Sequence, residues 1–312
     1  MNDTLKKYLT TDHAARIQSL RLTDAWKKGL AHQDLPAEIS QLLGELSAAC
    51  VLLAGNIKFD GSIILQVQGT GAVSLMMVEC SSTLDLRATA HIKEDSTFPA
   101  GITLQQLMNA DGKGRFTVML DPEKRAEGVG LYQGVVPLEG DTVAQALEHY
   151  MKHSEQLDTR LWLAADAEHC AGLMLQRMPS AENSSAQTAR RHTEAEDATW
   201  NHCLTLAGTI TPRELLGLDP DALIHRLFWQ DDLLSFTGQA VRWHCSCSRD
   251  RVASMLRNLG QAEIESILAE QGHVHIDCHF CGKPYEFDAV DCAALFVDTR
   301  NQIPAPGSPL VH

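Results

Sequence analysis

Two pairs of cysteines constrain this chain more than any other feature. Cys245-Ser246-Cys247 is followed, after 30 residues, by Cys278-His279-Phe280-Cys281. Four thiols in two close pairs can surround one Zn²⁺ as a closed tetrahedral thiolate site. The same two pairs can close into two disulfides once the metal is lost. The sequence around them predicts a fold that brings the pairs together. A strand over 239–244 leads into the first pair. Ser248 then caps a helix with Val252, Met255, Leu256 and Leu259 on one face, stopped by Gly260, and a second helix over 262–271 stops at Gly272. Residues 273–277 form a strand into the second pair, 285–287 the return strand, and Asp288 caps a terminal helix over 289–296. Gly282 lets the backbone turn so that amide N–H groups point at the sulfurs and favour thiolate, the form a metal binds. Cys245, Cys247, Cys278 and Cys281 are therefore the candidate ligands of one Zn²⁺. His244, His273, His275 and His279 lie close by, but four cysteines already fill a tetrahedral site, so these are read as strand-face or exposed residues.

How the thiols behave depends on the compartment. The N-terminus, MNDTLKKYLTTDHAARIQ, lacks the apolar core of a signal peptide. No stretch is expected to approach the roughly 18 apolar residues of a membrane span. The chain is thus expected in the cytoplasm, where thiols stay reduced. Of the 9 cysteines, Cys50, Cys80, Cys170, Cys203 and Cys292 are isolated and read as small apolar residues in packing. The net charge of −14 argues against nucleic acid as a partner. Residues 241–312 alone hold 6 Lys/Arg against 9 Asp/Glu, and four thiolates around Zn²⁺ add two more negative charges.

Catalysis finds no support. Four thiolates leave no open position on a zinc ion. A nucleobase deaminase needs H-x-E and P-C-x-x-C. His192-Thr193-Glu194 lies in a polar stretch, and Asp277 rather than proline precedes Cys278. A thioredoxin-like pair sits at a helix N-terminus, whereas Cys278 and Cys281 fall in a strand–turn–strand. Gly69-Thr70-Gly71 leads from strand to strand and offers no helix N-terminus to a phosphate. The chain is not read as an enzyme. What remains open is whether the metal is a switch, or a permanent staple in a zinc-ribbon protein that binds nucleic acid or another partner.

Upstream, strands are predicted over 16–22, 63–68, 84–92, 115–120, 129–136, 160–165 and 171–177. Gly69 and Gly71 supply positive φ in the turn of a hairpin. Helices are predicted over 24–31, from Pro36 through Leu53, and from the cap Asp141-Thr142 to Ser154. Hairpin-linked strands with few helices between them predict an α+β core with a mainly antiparallel sheet over 1–179. A polar stretch then gives way to helices begun by the capping box Thr211-Pro212-Arg213-Glu214 and by Asp219-Pro220. Residues 180–240 carry 4 Lys/Arg against 9 Asp/Glu, yet Leu223, Ile224, Leu227, Phe228 and Trp229 make an apolar stripe. This segment must dock on something. The expected division is a core over 1–179, a metastable helical linker over 180–238, a zinc domain over 239–300 and a flexible tail over 301–312.

The residues just quoted bear a family likeness. C-S-C-S-R-D-R-V (245–252), S-I-L-A-E-Q-G (266–272) and C-H-F-C-G-K-P-Y-x-F-D (278–288) resemble the zinc domain of the redox-regulated holdase chaperones of the heat-shock protein 33 kDa family. Q-G-T-G (68–71), Y-Q-G-V-V-P-L-E-G-D-T (132–142), S-E-Q-L-D-T-R (154–160) and G-L-M-L-Q-R-M-P (172–179) resemble that family's core in order and spacing. The likeness spans essentially the whole chain. Its departures are the hairpin Gly-Thr-Gly-Ala, where a more acidic, proline-bearing turn is usual, and Trp243-His244 before the first cysteine. Neither touches the four ligands. Cys203 and Cys292 are additions without an assigned role. The resemblance implies a protein that is inactive while reduced and zinc-bound. On oxidation it would form Cys245–Cys247 and Cys278–Cys281 disulfides, lose zinc, unfold the zinc domain and linker, and hold unfolding client proteins without ATP. It further implies a monomer when reduced and a homodimer when oxidised, with no nucleic-acid or membrane partner.

Overall fold

A central apolar helix, clamped between two sheets, organises the larger part of the molecule. The computed structural model describes residues 3–94, 96, 98–99, 101–123, 132–179 and 186–296, with 186–193 as backbone only. The expected tail, the start of the linker and residues 129–131 of one expected strand lie outside these. The chain divides into two compact units, Met1–Cys245 and Ser246–His312.

The first unit runs β1 (Thr4–Thr10), β2 (Ala15–Leu22), α1 (Asp24–Leu30), α2 (Ala37–Ala54), β3 (Gly61–Gln68), β4 (Val73–Ser81), β5 (Asp85–Ile92), α3 (Leu104–Met108), β6 (Arg115–Pro122) and β7 (Tyr132–Pro137). It continues with α4 (Val143–His153), β8 (Thr159–Ala165), β9 (Cys170–Arg177), α5 (Ala186–Ala207), α6 (Pro212–Gly217), α7 (Pro220–Phe228), β10 (Leu233–Ser235), β11 (Gln239–Ala240) and β12 (Arg242–Trp243). One sheet has the order β10-β1-β2-β9-β8, with β11 also on β1; the other is β12-β5-β4-β3-β6-β7. Every pairing is antiparallel except β12 on β5. The α+β class read from the sequence is the one observed.

Helix α2 lies between the sheets, against β2, β8 and β9 on one side and β3, β4 and β5 on the other. Its residues Leu43, Leu46, Leu52 and Cys50 are fully buried, together with Leu65, Val78 and Met174 from the strands. By length and a mean hydropathy of 1.4 over 18 residues it is apolar enough to cross a membrane, contrary to the expectation that no stretch comes near. Here both of its faces meet protein, so 72% of it is buried within the fold. Strand β9 is likewise covered on both faces and buried from Cys170 to Gln176, which is why its sequence is a continuous apolar run rather than an alternation.

The outer face of the first sheet carries a second apolar layer. Tyr8, Ile17, Leu173 and Leu175 of the sheet meet Trp200 and Cys203 of α5, Leu215 of α6, and Leu223, Leu227 and Phe228 of α7. This is where the acidic, striped segment docks. The starts of its short helices are well specified: Thr211 and Glu214 form a reciprocal capping box, and Asp219 accepts from the Ala222 N–H. Ion pairs from Lys6 to Asp221 at 2.8 Å and from Arg177 to Asp197 add to the docking.

Two local expectations change. Gly69 and Gly71 do not have positive φ. They are needed for close approach: a Cβ would collide with the Val73 carbonyl oxygen at Gly69 and with that of Leu107 at Gly71. The strand expected over 239–244 forms, but as the short β11 and β12 laid on the two sheets of the first unit. Val241 between them is buried in the main core.

The second unit contains α8 (Arg249–Leu259), α9 (Gln261–Gln271), β13 (Val274–Asp277), β14 (Pro284–Phe287) and α10 (Ala289–Leu295). Its core is small: Ala253, Leu256, Ile264, Val274, Tyr285, Phe287 and Cys292. Arg249 is its main polar tie, stacking 4.2 Å over the Phe287 ring and donating to the Glu286 carbonyl and to Asp291, each at 2.7 Å.

Candidate metal centre

Each cysteine of the two pairs stands at the edge of a regular element. Cys245 comes two residues after β12, Cys247 just before the α8 cap Ser248, Cys278 directly after β13, and Cys281 three residues before β14. The β13–β14 ladder pairs Asp277 with Pro284, so the second pair sits in the turn of a hairpin. That turn is closed by the Cys281 and Gly282 N–H groups, which donate to the Cys278 carbonyl at 3.2 and 2.7 Å, and by the Cys278 N–H on the Lys283 carbonyl at 2.9 Å. Gly282 has the left-handed φ of 65° expected of it. The Cys281 and Gly282 amides thus both point into the turn, onto the Cys278 carbonyl.

The four sulfurs converge. All lie within 4.8 Å of one another, and those of Cys247 and Cys281 are 3.5 Å apart. A tetrahedron of thiolates with metal–sulfur bonds of about 2.3 Å has sulfur–sulfur edges of about 3.8 Å, so the cluster fits a four-thiolate metal ion. Among the described residues it is the one group of three or more His, Cys, Asp or Glu side chains brought together this closely. His244, His273, His275 and His279 are exposed and outside it. His275 is instead paired with Asp277 at 3.2 Å.

Two neighbours of the sulfurs carried no signal in the sequence that would have assigned them this role. The Tyr285 hydroxyl donates to Cys247 Sγ at 3.1 Å, and this bond pushes the tyrosine's own pKa up. Arg87 of β5, about half-buried and held by Glu79, donates a hydrogen bond to Cys245. Hydrogen bonds to a metal-bound thiolate orient it and offset its charge. Tyr285→Phe is expected to lower metal affinity about 10-fold or more while leaving the β13–β14 ladder intact; competition with a chelating dye reads the first and circular dichroism the second.

The other five cysteines differ in kind. All are buried, whereas the four of the cluster are half-exposed. Burial pushes the Cys50, Cys80 and Cys170 thiols well up and takes Cys203 to about 12, helped by Asp231 and Asp12. Cys292 is raised by burial and then by Asp291 and Asp288. Thiols held in the protonated form are poor nucleophiles and poor ligands.

Comparison with known proteins agrees with this layout. The family model described as Hsp33 protein matches residues 3–288. A protein named 33 kDa chaperonin from Ectopseudomonas mendocina is 42% identical over 98% of this chain and 99% of its own length. One of the same name from Methylobacillus flagellatus is 39% identical over 100% and 99%. The crystal structure of the 33 kDa chaperonin (heat shock protein 33 homolog) of Thermotoga maritima superposes with a TM-score of 0.76, covering 95% of this chain and 98% of that one; at 16% identity it supports the fold.

Proposed function

The chain belongs to the Hsp33 family of chaperones, and from that premise we propose that it is an ATP-independent holdase governed by the redox state of its four clustered thiols. Cys245, Cys247, Cys278 and Cys281 hold one Zn²⁺ in the reduced chain. Bound there, the ion supplies a cross-link worth roughly 10–16 kcal/mol in small zinc modules, most of it folding free energy. A two-electron oxidant such as peroxide takes two electrons from each pair of thiolates, and solvent supplies the four protons that complete the water. Cys245 and Cys247 form one S–S bond and Cys278 and Cys281 the other, while two peroxides become four waters. The disulfide sulfurs have no thiolate left to offer as a ligand. A second unit whose described residues bury seven core side chains is then too small to stay folded.

The observation that carries this reading is the separate apolar layer under α5–α7. Because Tyr8, Ile17, Leu173 and Leu175 are covered by these helices and not by α2, the helices can leave without opening the main core. The sheet face so exposed would receive unfolding clients, and the segment's excess acidity would keep the opened chain dispersed. On this reading the protein works in the cytoplasm, monomeric when reduced and homodimeric when oxidised, without enzymatic activity and without a nucleic-acid or membrane partner.

The test oxidises zinc-loaded protein with peroxide at mild heat or with hypochlorite. A chelating dye follows zinc release, and light scattering follows aggregation of an unfolding client. Release of one zinc per chain together with client protection is expected. Equal protection by the reduced, zinc-loaded form would sink the switch and favour a permanent structural metal.

A further inference from the structure

The residues leading into the first cysteine are zipped onto the edge of the second sheet. β12 runs parallel to β5 with Arg242 opposite Asp85 and Trp243 opposite Leu86. The Arg242 N–H donates to the Leu84 carbonyl at 3.1 Å and the His244 N–H to the Leu86 carbonyl at 3.0 Å. Farther along the same edge, the Gln33 side chain takes the Ala88 carbonyl at 2.9 Å. Three side chains in a row fix the strap. Val241 is buried in the main core at 5% exposure, Arg242 pairs with Asp85 at 2.9 Å, and Trp243 lies on Gly29. A Cβ at Gly29 would stand 2.7 Å from the indole ring, so the glycine makes a flat slot for an aromatic face. Only two residues form this ladder, and it ends two residues before Cys245.

An open strand edge is a template for another chain, and extended peptides commonly add to such edges, backbone bonds giving affinity and side-chain pockets giving preference. We infer that the β5 edge covered by β12 is a strand-addition site for an extended client segment in which an apolar, a basic and an aromatic residue follow in order. The chain's own Val241-Arg242-Trp243 occupies it in the resting state. This rests on the switch proposed above only for what uncovers the edge. Loss of order at Cys245 passes along the backbone into a two-residue ladder that has little to hold it. The occupant is an unfolded polypeptide, because the Leu84 and Leu86 carbonyls bind backbone N–H groups, and Asp85 selects a cation beside them.

The probe is a fluorescently labelled peptide, Gln-Ala-Val-Arg-Trp-His, copied from residues 239–244 and followed by anisotropy against the full-length protein. It is tested on the reduced zinc-loaded chain, the oxidised chain, and a reduced Arg242→Pro/Trp243→Ala chain that lifts the strap without oxidant. Hydrogen exchange at Leu86 reports whether the edge is uncovered. The oxidised chain and the double variant are expected to bind the peptide about ten-fold tighter than the reduced parent. Asp85→Ala should weaken binding by up to about five-fold, the range of a partly exposed ion pair. Gly29→Ala, by filling the slot, should weaken it as well. Fast exchange at Leu86 in the double variant without peptide binding overturns the site, and so does slow exchange, since the strap would then not be what covers the edge. Binding to the double variant but not to the oxidised chain would uphold the site and count against the switch.

Discussion

Leu227→Asp should turn the reduced, zinc-loaded protein into a constitutive chaperone. Leu227 is 4% exposed in the layer between α7 and the first sheet, beside Leu223, Ile224 and Phe228. Truncating such a leucine costs about 2–5 kcal/mol. An ionised carboxylate in its place, set among apolar side chains, adds several kcal/mol of desolvation. Helix α7 has nine residues and cannot persist undocked, so α5–α7 should leave the sheet. The main core contains none of these residues and should keep its cooperative melting. Trypsin should cut at Arg213 and Arg226 in the reduced variant but not in the parent. Rapid cleavage at Arg226 without client protection would refute the sheet face as the client surface.

Cys278→Ser should have an effect of similar size on the second unit. A neutral hydroxyl replaces one thiolate, leaving three protein sulfurs in a cluster whose members now lie within 4.8 Å of one another. Of the roughly 10–16 kcal/mol that zinc contributes in small modules, loss of even a third weakens affinity by about three orders of magnitude. The seven-residue core does not make up that deficit. Expected are loss of stoichiometric zinc after dialysis against a mild chelator and tryptic cleavage at Arg249, Arg251 and Arg257 without any oxidant. The first unit's melting should barely move. A variant that loses zinc yet stays protease-resistant over 246–296 would show that the second unit does not depend on the metal.

The four-cysteine cluster was legible because its determinants are local. Paired cysteines, the Ser248 and Asp288 caps and the glycine stops each act within a few residues, and all appear where the sequence puts them. Arg87 was not legible: it reaches Cys245 only because β5 and β12 become neighbours across 157 positions of sequence between Asp85 and Arg242. Strand β1 was missed because Lys6 and Lys7 interrupt its apolar pattern. Lys6 is paired with Asp221, and Lys7 donates to the Gly55 carbonyl at the end of α2, where a helix dipole favours a cation. In α2, Ile39, Leu42, Leu43, Leu46, Ala49, Cys50 and Leu53 repeat at helical spacing and mark one apolar face, whereas the fold sets sheets against both. The continuous apolar run of β9 marks two buried faces, but that α5–α7 cover the outer one is set by contacts across the fold and not by any local pattern.

The strand order has a consequence for synthesis on the ribosome. The first sheet takes β1 and β2 from the start of the chain, β8 and β9 from residues 159–177, and its edge strands from residues 233–240. Chains emerge from the amino terminus, at rates of about 5–20 residues per second. For several seconds after β9 appears, that sheet exists with its outer face bare, because α5–α7 have not yet been made or docked. The nascent protein thus passes through the same uncovered state that oxidation is proposed to restore. Every molecule must cross, once, the aggregation hazard that the proposed switch would turn to use, and prompt closure of α5–α7 is a condition for making it at all.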